Sequence, residues 1–185
     1  MNSIINHILI SMPHINDPLF GNSVIFMCEH DKKGAMGLII NKIFHKKDLK
    51  ELYDDMNEKS DEILNAVSTV YFGGPVLVER GILLHSEKIY LEKSIKISDD
   101  FFISSDKETL LDMLKNKKSD NNRLFLGHAG WSAGQLEHEI ENGDWLVQDT
   151  SPDFIFNIPA EQIWNIAIQS FGIDLSSPSS FGGQA

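Results

Sequence analysis

The chain has 185 residues, a formal net charge of −11 and one cysteine, Cys28. That length suits one domain able to bury roughly 70% of its unfolded surface without staples. A lone cysteine excludes an internal disulfide and fits a reducing compartment.

The acid excess also bears on partners, because nucleic-acid affinity rests on Lys and Arg neutralising phosphates. The one compact basic cluster is Lys42, His45, Lys46, Lys47 and Lys50. It runs at once into Glu51, Asp54, Asp55, Glu58, Asp61 and Glu62, so direct DNA binding is not expected. No apolar run approaches the roughly 20 residues that span a bilayer. The segment Met1–Ile10 carries no basic residue before its apolar part and no small-residue cleavage site, so it does not read as a signal peptide. The expectation is a cytosolic protein with no membrane contact.

In chain order, His7–Met12 reads as a strand closed by Pro13. An irregular stretch follows, with Asp17-Pro18 as a turn initiator. Asn22–Glu29 and Ala35–Asn41 are strands joined through Asp31-Lys32-Lys33-Gly34, a hairpin. Their nearly continuous apolar run predicts cover on both faces, with Cys28 a buried, inert thiol. Lys47–Met56 has helical periodicity, and Asn57–Ser68 is polar. Thr69–Phe72 and Leu77–Ser86 are strands on either side of Gly73-Gly74-Pro75. Ile89–Ile103 holds short extended pieces. Ser105 and Glu108 form a capping box for a helix burying Leu110, Leu111 and Leu114.

The densest set of special residues is Leu124–Glu137. Leu124-Phe125-Leu126 reads as a buried strand, Gly127–Gly130 as a tight turn and Ser132 as a helix N-cap. Gln135 completes a capping box, Trp131 and Leu136 a hydrophobic staple, and Gly143 a left-handed stop after about Asn142. Asp144–Gln148 is then a strand, Asp149–Asp153 a turn and Phe154–Asn157 extended. Pro159 opens a helix with Ile163, Trp164, Ala167, Ile168 and Phe171 on one face, stopped by Gly172. The tail, residues 176–185, is rich in Ser and Gly and expected to be flexible. Hairpins mixed with isolated helices, without βαβ alternation, give an α+β class with a mostly antiparallel, strongly bent, barrel-like sheet surrounded by helices.

Candidate chemistry is sparse. Glycine turns at strand ends can present amides to an anion, and Arg80 could add charge if the turns of Gly73-Gly74 and Gly127–Gly134 lie together. The plainer reading is that these glycines permit turns and close packing. The stretch is neither GxGxxG nor GxSxG, and no GK[ST] follows. His128 reads as structural before acid–base, and Ser132 as a cap before a nucleophile. Low-specificity ligand candidates are therefore Gly73, Gly74, Arg80, His85, Gly127, His128, Gly130 and Ser132; no catalytic set is assigned. The histidines His14, His30, His85, His128 and His138 are scattered, and Glu137-His138-Glu139 reads as an exposed helix face, so neither metal nor cofactor is expected.

Several stretches together resemble one bacterial family, the YqgE/AlgH proteins. They are Leu9-Ile10-Ser11-Met12-Pro13, Asp17-Pro18-Leu19-Phe20, Glu29-His30 and Gly34-Ala35-Met36-Gly37-Leu38. Gly73-Gly74-Pro75-Val76, Arg80-Gly81, His85, Gly127 through Glu139 and Trp145-Leu146 follow in the family's order. His128 departs from the tyrosine that most members are expected to carry. The resemblance covers nearly the whole chain to Gly172 and implies one domain over residues 1–175, with a barrel-like α+β fold. It supplies no catalytic residues, though one branch is described as a regulator of alginate synthesis, a transcription-linked role. The leading expectation is a non-enzymatic binding or regulatory module acting through a protein partner or a small anionic ligand. A hydrolase-like enzyme using the glycine turns with Arg80, Ser132 or His85 is the alternative, and a nucleic-acid binder comes third.

Overall fold

The structure, a computed structural model, describes residues 3–45, 48–49, 67–86, 93–116 and 121–173. Of the helix expected over Lys47–Met56 only 48–49 are described, and the C-terminal tail lies outside the described residues.

Among the described residues, nine strands form one curled sheet: β1 (His7–Ser11), β2 (Val24–Asp31), β3 (Gly34–Ile39), β4 (Val70–Phe72), β5 (Val76–His85), β6 (Ile95–Lys96), β7 (Phe102–Ser104), β8 (Asn122–Ser132) and β9 (Trp145–Asp149). Their order is β6-β7-β5-β8-β3-β2-β1-β9, with β4 added to β8. Every pairing among the described strands is antiparallel except β4 with β8. Among the described residues, four helices pack on this sheet: α1 (Lys107–Asn116), α2 (Gln135–Glu141), α3 (Pro152–Asn157) and α4 (Ala160–Ser170). The expected α+β class with a bent, largely antiparallel sheet is what the chain adopts.

β2 shows why its sequence lacks the usual polar alternation. Val24, Phe26 and Cys28 face one core, which α4 closes with Ile163, Trp164, Ala167 and Ile168. Ile25 and Met27 face a second core with Trp131, Leu136 and Trp145. Both faces are covered, so each residue must be apolar. Burial pushes the Cys28 thiol far above its ordinary range, with nearby Glu29 adding to the effect; the sulfur stays protonated and unreactive. The indole of Trp164 donates to the Ser11 carbonyl at 2.9 Å and ties α4 to β1.

β8 is the axis of the molecule. Asn122–Leu126 pair with β5 while Leu124–Leu126 also pair with β4, and Ala129–Ser132 pair with β3. Gly127 at φ +69° is the kink where the strand passes from one set of partners to the other. The expected turn over Gly127–Gly130 is therefore corrected: Gly127 bends a strand that continues to Ser132. Tertiary pairing on both sides outweighs the local preference of glycine for turns.

Helix starts need correction as well. Ser132 is not the N-cap of α2; Gly134 is, at φ +77° and without a side-chain cap. The Gln135 side chain still accepts from the Ser132 amide at 3.0 Å, so half of the expected box forms, across the turn instead of within the helix. Asp106 caps α1, accepting from the Thr109 amide at 3.0 Å, where Ser105 was expected. Ser151 caps α3, so Phe154–Asn157 is helical and not extended; Pro152 at its first position has the φ a helix needs. Phe171 stays 43% exposed, outside the buried face of α4. Gly143 and Gly172 do end α2 and α4 with positive φ.

Candidate functional site

The Gly73-Gly74 segment and the Gly127 kink of β8 lie together. The Gly73 amide donates to the Leu126 carbonyl at 2.9 Å, and the Gly73 carbonyl accepts from the Ile39 amide at 2.9 Å. A Cβ on Gly73 would strike the Gly127 carbonyl oxygen, and one on Gly74 the His128 carbonyl carbon and the Ala129 nitrogen. The glycines allow backbone to press on backbone.

Immediately beside that seam, β5 breaks register with β8. Val76 pairs with His128 and the next matched pair is Gly81 with Leu126, so the β5 side holds extra residues as a bulge. Leu77 takes φ +50° there, a conformation a branched side chain seldom adopts. The bulge swings Arg80 out of the sheet. It lines a cleft of ≈230 Å³ whose apolar lining is buried Ile82 and Ile103, half-buried Met36 and exposed Ile95. Its lining also carries the bases Arg80, Lys93 and His128 and the acids Glu29 and Asp106. A second bulge, between Met27 and Glu29, turns Glu29 toward Met36 in this lining.

The charges in the lining are unevenly occupied. One Arg80 nitrogen donates to the Ser105 hydroxyl at 3.1 Å, a neutral acceptor. No carboxylate among the described residues forms an ion pair with Arg80. One Asp106 oxygen, by contrast, accepts from both the amide and the hydroxyl of Thr109, at 3.0 and 2.8 Å, and these bonds hold its carboxyl below the usual range. His128 has its Nδ1 buried without a hydrogen-bond partner. Desolvation lowers its pKa, Arg80 lowers it further, and Glu29 opposes both. A neutral imidazole at pH 7 follows.

The sign of that shift gives a test. The unfolded chain binds the proton more readily than the folded one. The stability is therefore full above the ordinary His value near 6.5 and falls as pH drops from there through the folded value. In a two-dimensional NMR titration the His128 midpoint should fall below the ordinary imidazole value. Arg80→Gln should move its midpoint upward, and an unchanged midpoint would remove Arg80 from its surroundings.

The other expected residues separate. His85 is fully buried behind the cleft wall; its Nε2 lies 3.0 Å from the Ser104 hydroxyl and 3.2 Å from that of Ser94. Ser132 is exposed at the far end of β8, and Gly130 lines a different cleft. Arg80 and His128 alone among the eight candidates line the cleft under the β5 bulge. Sequence reasoning missed Glu29, Lys93, Ser104 and Asp106. They come from three separate segments, Ser104 and Asp106 sharing one, and no local chemical pattern marks them.

The Glu137-His138-Glu139 segment also differs from its expected exposure. His30 accepts from the Ile4 amide at Nδ1, so its Nε2 carries the proton and donates to Glu137 at 3.1 Å. Glu139 turns inward to two tryptophans; only His138 is exposed. Among the described residues no group of three His, Cys, Asp or Glu side chains is placed to hold a metal ion. No helix among them is long and apolar enough to cross a membrane.

The fold and its clefts define a small α+β domain built on one curled sheet, with one cleft beside the core closed by α4 and another beside the core of Trp131 and Trp145. The family model described as DUF179, AlgH-like, matches residues 8–176, and the chain belongs to that family. A UPF0301 protein of Chromobacterium violaceum is 39% identical over 183 residues, covering 99% of this chain and 98% of the relative. One from Shewanella frigidimarina is 37% identical with both chains covered in full. The solution structure of the AlgH protein from Pseudomonas aeruginosa superposes with a TM-score of 0.73 at 30% identity, covering 100% of this chain and 97% of that one. A crystal structure of a Corynebacterium diphtheriae protein, at 20% identity and TM-score 0.73, shares the fold.

Proposed function

We propose that this protein is a cytosolic, non-enzymatic binding module whose β5–β8 cleft takes a small anionic ligand with an apolar body. One observation carries the reading: Arg80 lines a cleft with apolar Met36, Ile82 and Ile103 and has no carboxylate partner among the described residues. A guanidinium in that position favours a carboxylate or phosphate head group, and Met36, Ile82 and Ile103 favour an alkyl tail. Lys93 adds charge in the lining, and neutral His128 can donate or accept one hydrogen bond. A regulatory role through a protein partner would then depend on whether the cleft is filled.

Hexanoate is a suitable probe. Titrated into the full-length protein, it should give saturable NMR shifts at His128 and Ile82, about tenfold weaker in Arg80→Gln, as expected for a lost charge-assisted contact of about 1.4 kcal/mol. Hexanol and hexylammonium should bind more weakly. Equal binding of hexylammonium, or no shift with hexanoate, would reject the anion site.

A second reading, hydrolysis, is favoured by one feature. The Ser104 hydroxyl, on the cleft wall, sits within nucleophile-to-base distance of His85 Nε2 at 3.0 Å. Ser94 contacts both, at 3.2 Å from His85 Nε2 and 2.7 Å from Ser104 Oγ, so the Ser104 hydroxyl belongs to a shared polar cluster and is not held by the histidine alone. Covalent labelling of Ser104 by a fluorophosphonate would replace the binding reading with this one.

A further inference from the structure

Against the second core, between α2 and the loop entering β2, lies another cleft of ≈230 Å³. It has roughly the liquid volume of seven or eight waters. Its wall includes Phe20, Trp131, Trp145, Asp17, Glu139 and Asp144. We propose that it is a binding site for a small organic ammonium ion, independent of the anion cleft.

The carboxylate of Glu139 anchors the argument. Its Oε2 accepts from both indoles, Trp131 at 2.8 Å and Trp145 at 2.9 Å, and its Oε1 accepts from the Gln135 amide at 2.9 Å. All three donors are neutral. They fix the carboxylate rigidly and leave its charge in place. No lysine or arginine among the described residues forms an ion pair with it. Asp17 and Asp144 add the same sign at the rim. Asp17 has one oxygen on the amides of Leu19 and Phe20, each at 2.8 Å. Asp144 faces half-exposed His14 at 3.4 Å. Lys42 acts on Asp17 through space, while its ammonium donates to the carbonyls of Pro18 and Leu19. A cleft lined by one sign of charge concentrates the opposite ion.

The aromatic rings decide which cation. Trp131 and Trp145 meet at 83° and Phe20 and Trp145 at 85°, both with centroids 6.3 Å apart. An alkylated ammonium is weakly hydrated, sheds water easily and is attracted to such rings. A metal ion needs several oxygens converging on one point, and these three carboxylates do not converge: no such group exists among the described residues.

Tetramethylammonium chloride tests the site on the full-length protein, read by indole N–H resonances in a proton–nitrogen correlation spectrum. The chain has three tryptophans. Trp164 lies in the other core, its N–H on the Ser11 carbonyl, and serves as an internal control. Saturable shifts at Trp131 and Trp145 but not Trp164 are expected. Sodium chloride at equal ionic strength and the neutral isostere tert-butanol should not reproduce them. Asp144→Asn, which keeps shape and removes one charge, should weaken binding about fivefold. The proposal is overturned if saturation is absent, if tert-butanol gives the same shifts, or if Asp144→Asn binds as tightly as wild type. Hexanoate should leave these two resonances unmoved, so failure here and failure of the anion cleft are distinguishable.

Discussion

Gly74→Ala should lower unfolding free energy by about 3 kcal/mol or more, a large share of the roughly 5–15 kcal/mol that holds an ordinary domain folded. Two penalties act together. Gly74 sits at φ +146°, which an alanine adopts only under strain. Its new Cβ would also meet the carbonyl carbon of His128 and the nitrogen of Ala129, backbone atoms that no rotamer change can move aside. Relief requires β4 to part from β8 at the kink, and that shift would displace His128 and the cleft lining with it. Gly81→Ala is the matched control. A Cβ there meets only the ends of Leu110 and Leu124, at 3.6 and 3.8 Å, which is ordinary contact. It should be neutral or slightly stabilising, because a strand glycine costs roughly 0.5–1 kcal/mol relative to alanine. Urea midpoints of the two variants read the difference. A Gly74→Ala protein within 1 kcal/mol of wild type would mean that the two backbones do not touch as described.

The same seam shows how far the sequence could be read. The hairpin from Asn22 to Asn41 was legible, because continuous apolar runs around Asp31–Gly34 leave few other arrangements. The family and its barrel-like sheet were legible from long motifs in order. β8 was not: Gly127 and Gly130 look like a turn to any local rule, and only pairing with β3, β4 and β5 makes one strand of that stretch. Ser132 fails as a cap for a related reason, since β3 holds it in the sheet through Gly34. At the anion cleft, Arg80 and His128 carried signals, a charge and a titratable ring near glycines. Glu29 and Lys93 carried none. Their places follow from bulges and from loop packing, which no spacing in the chain encodes. The inward turn of Glu139 was also hidden, because its partners are the tryptophans six and eight positions away, across a strand end.

Among the described residues Arg123 is the one large charge in the core, and Arg123→Met should cost about 2–4 kcal/mol through the carbonyls it leaves unpaired. It is 6% exposed. Its Nη1 donates to the Ile40 carbonyl at 3.1 Å, and its Nη2 to the carbonyls of Ile158 at 2.8 Å and Phe156 at 3.4 Å. The guanidinium also lies 4.7 Å from the centre of the Tyr71 ring. Burial disfavours the charge and Tyr71 partly offsets that, so the side chain gives up hydration to make these bonds. Methionine would relieve the buried charge, an argument for a small effect. The carbonyls decide otherwise. They stay where they are, and an unsatisfied buried acceptor costs roughly 1–3 kcal/mol. Arg123→Lys should recover only part of the loss, because a single ammonium cannot reach both Ile40 and Ile158 as the planar fork does. Since Ile158 lies between α3 and α4, the damage should appear there first, as faster hydrogen exchange at the Trp164 indole. A Met variant with unchanged urea midpoint and unchanged exchange would show that the α3–α4 corner does not depend on this side chain.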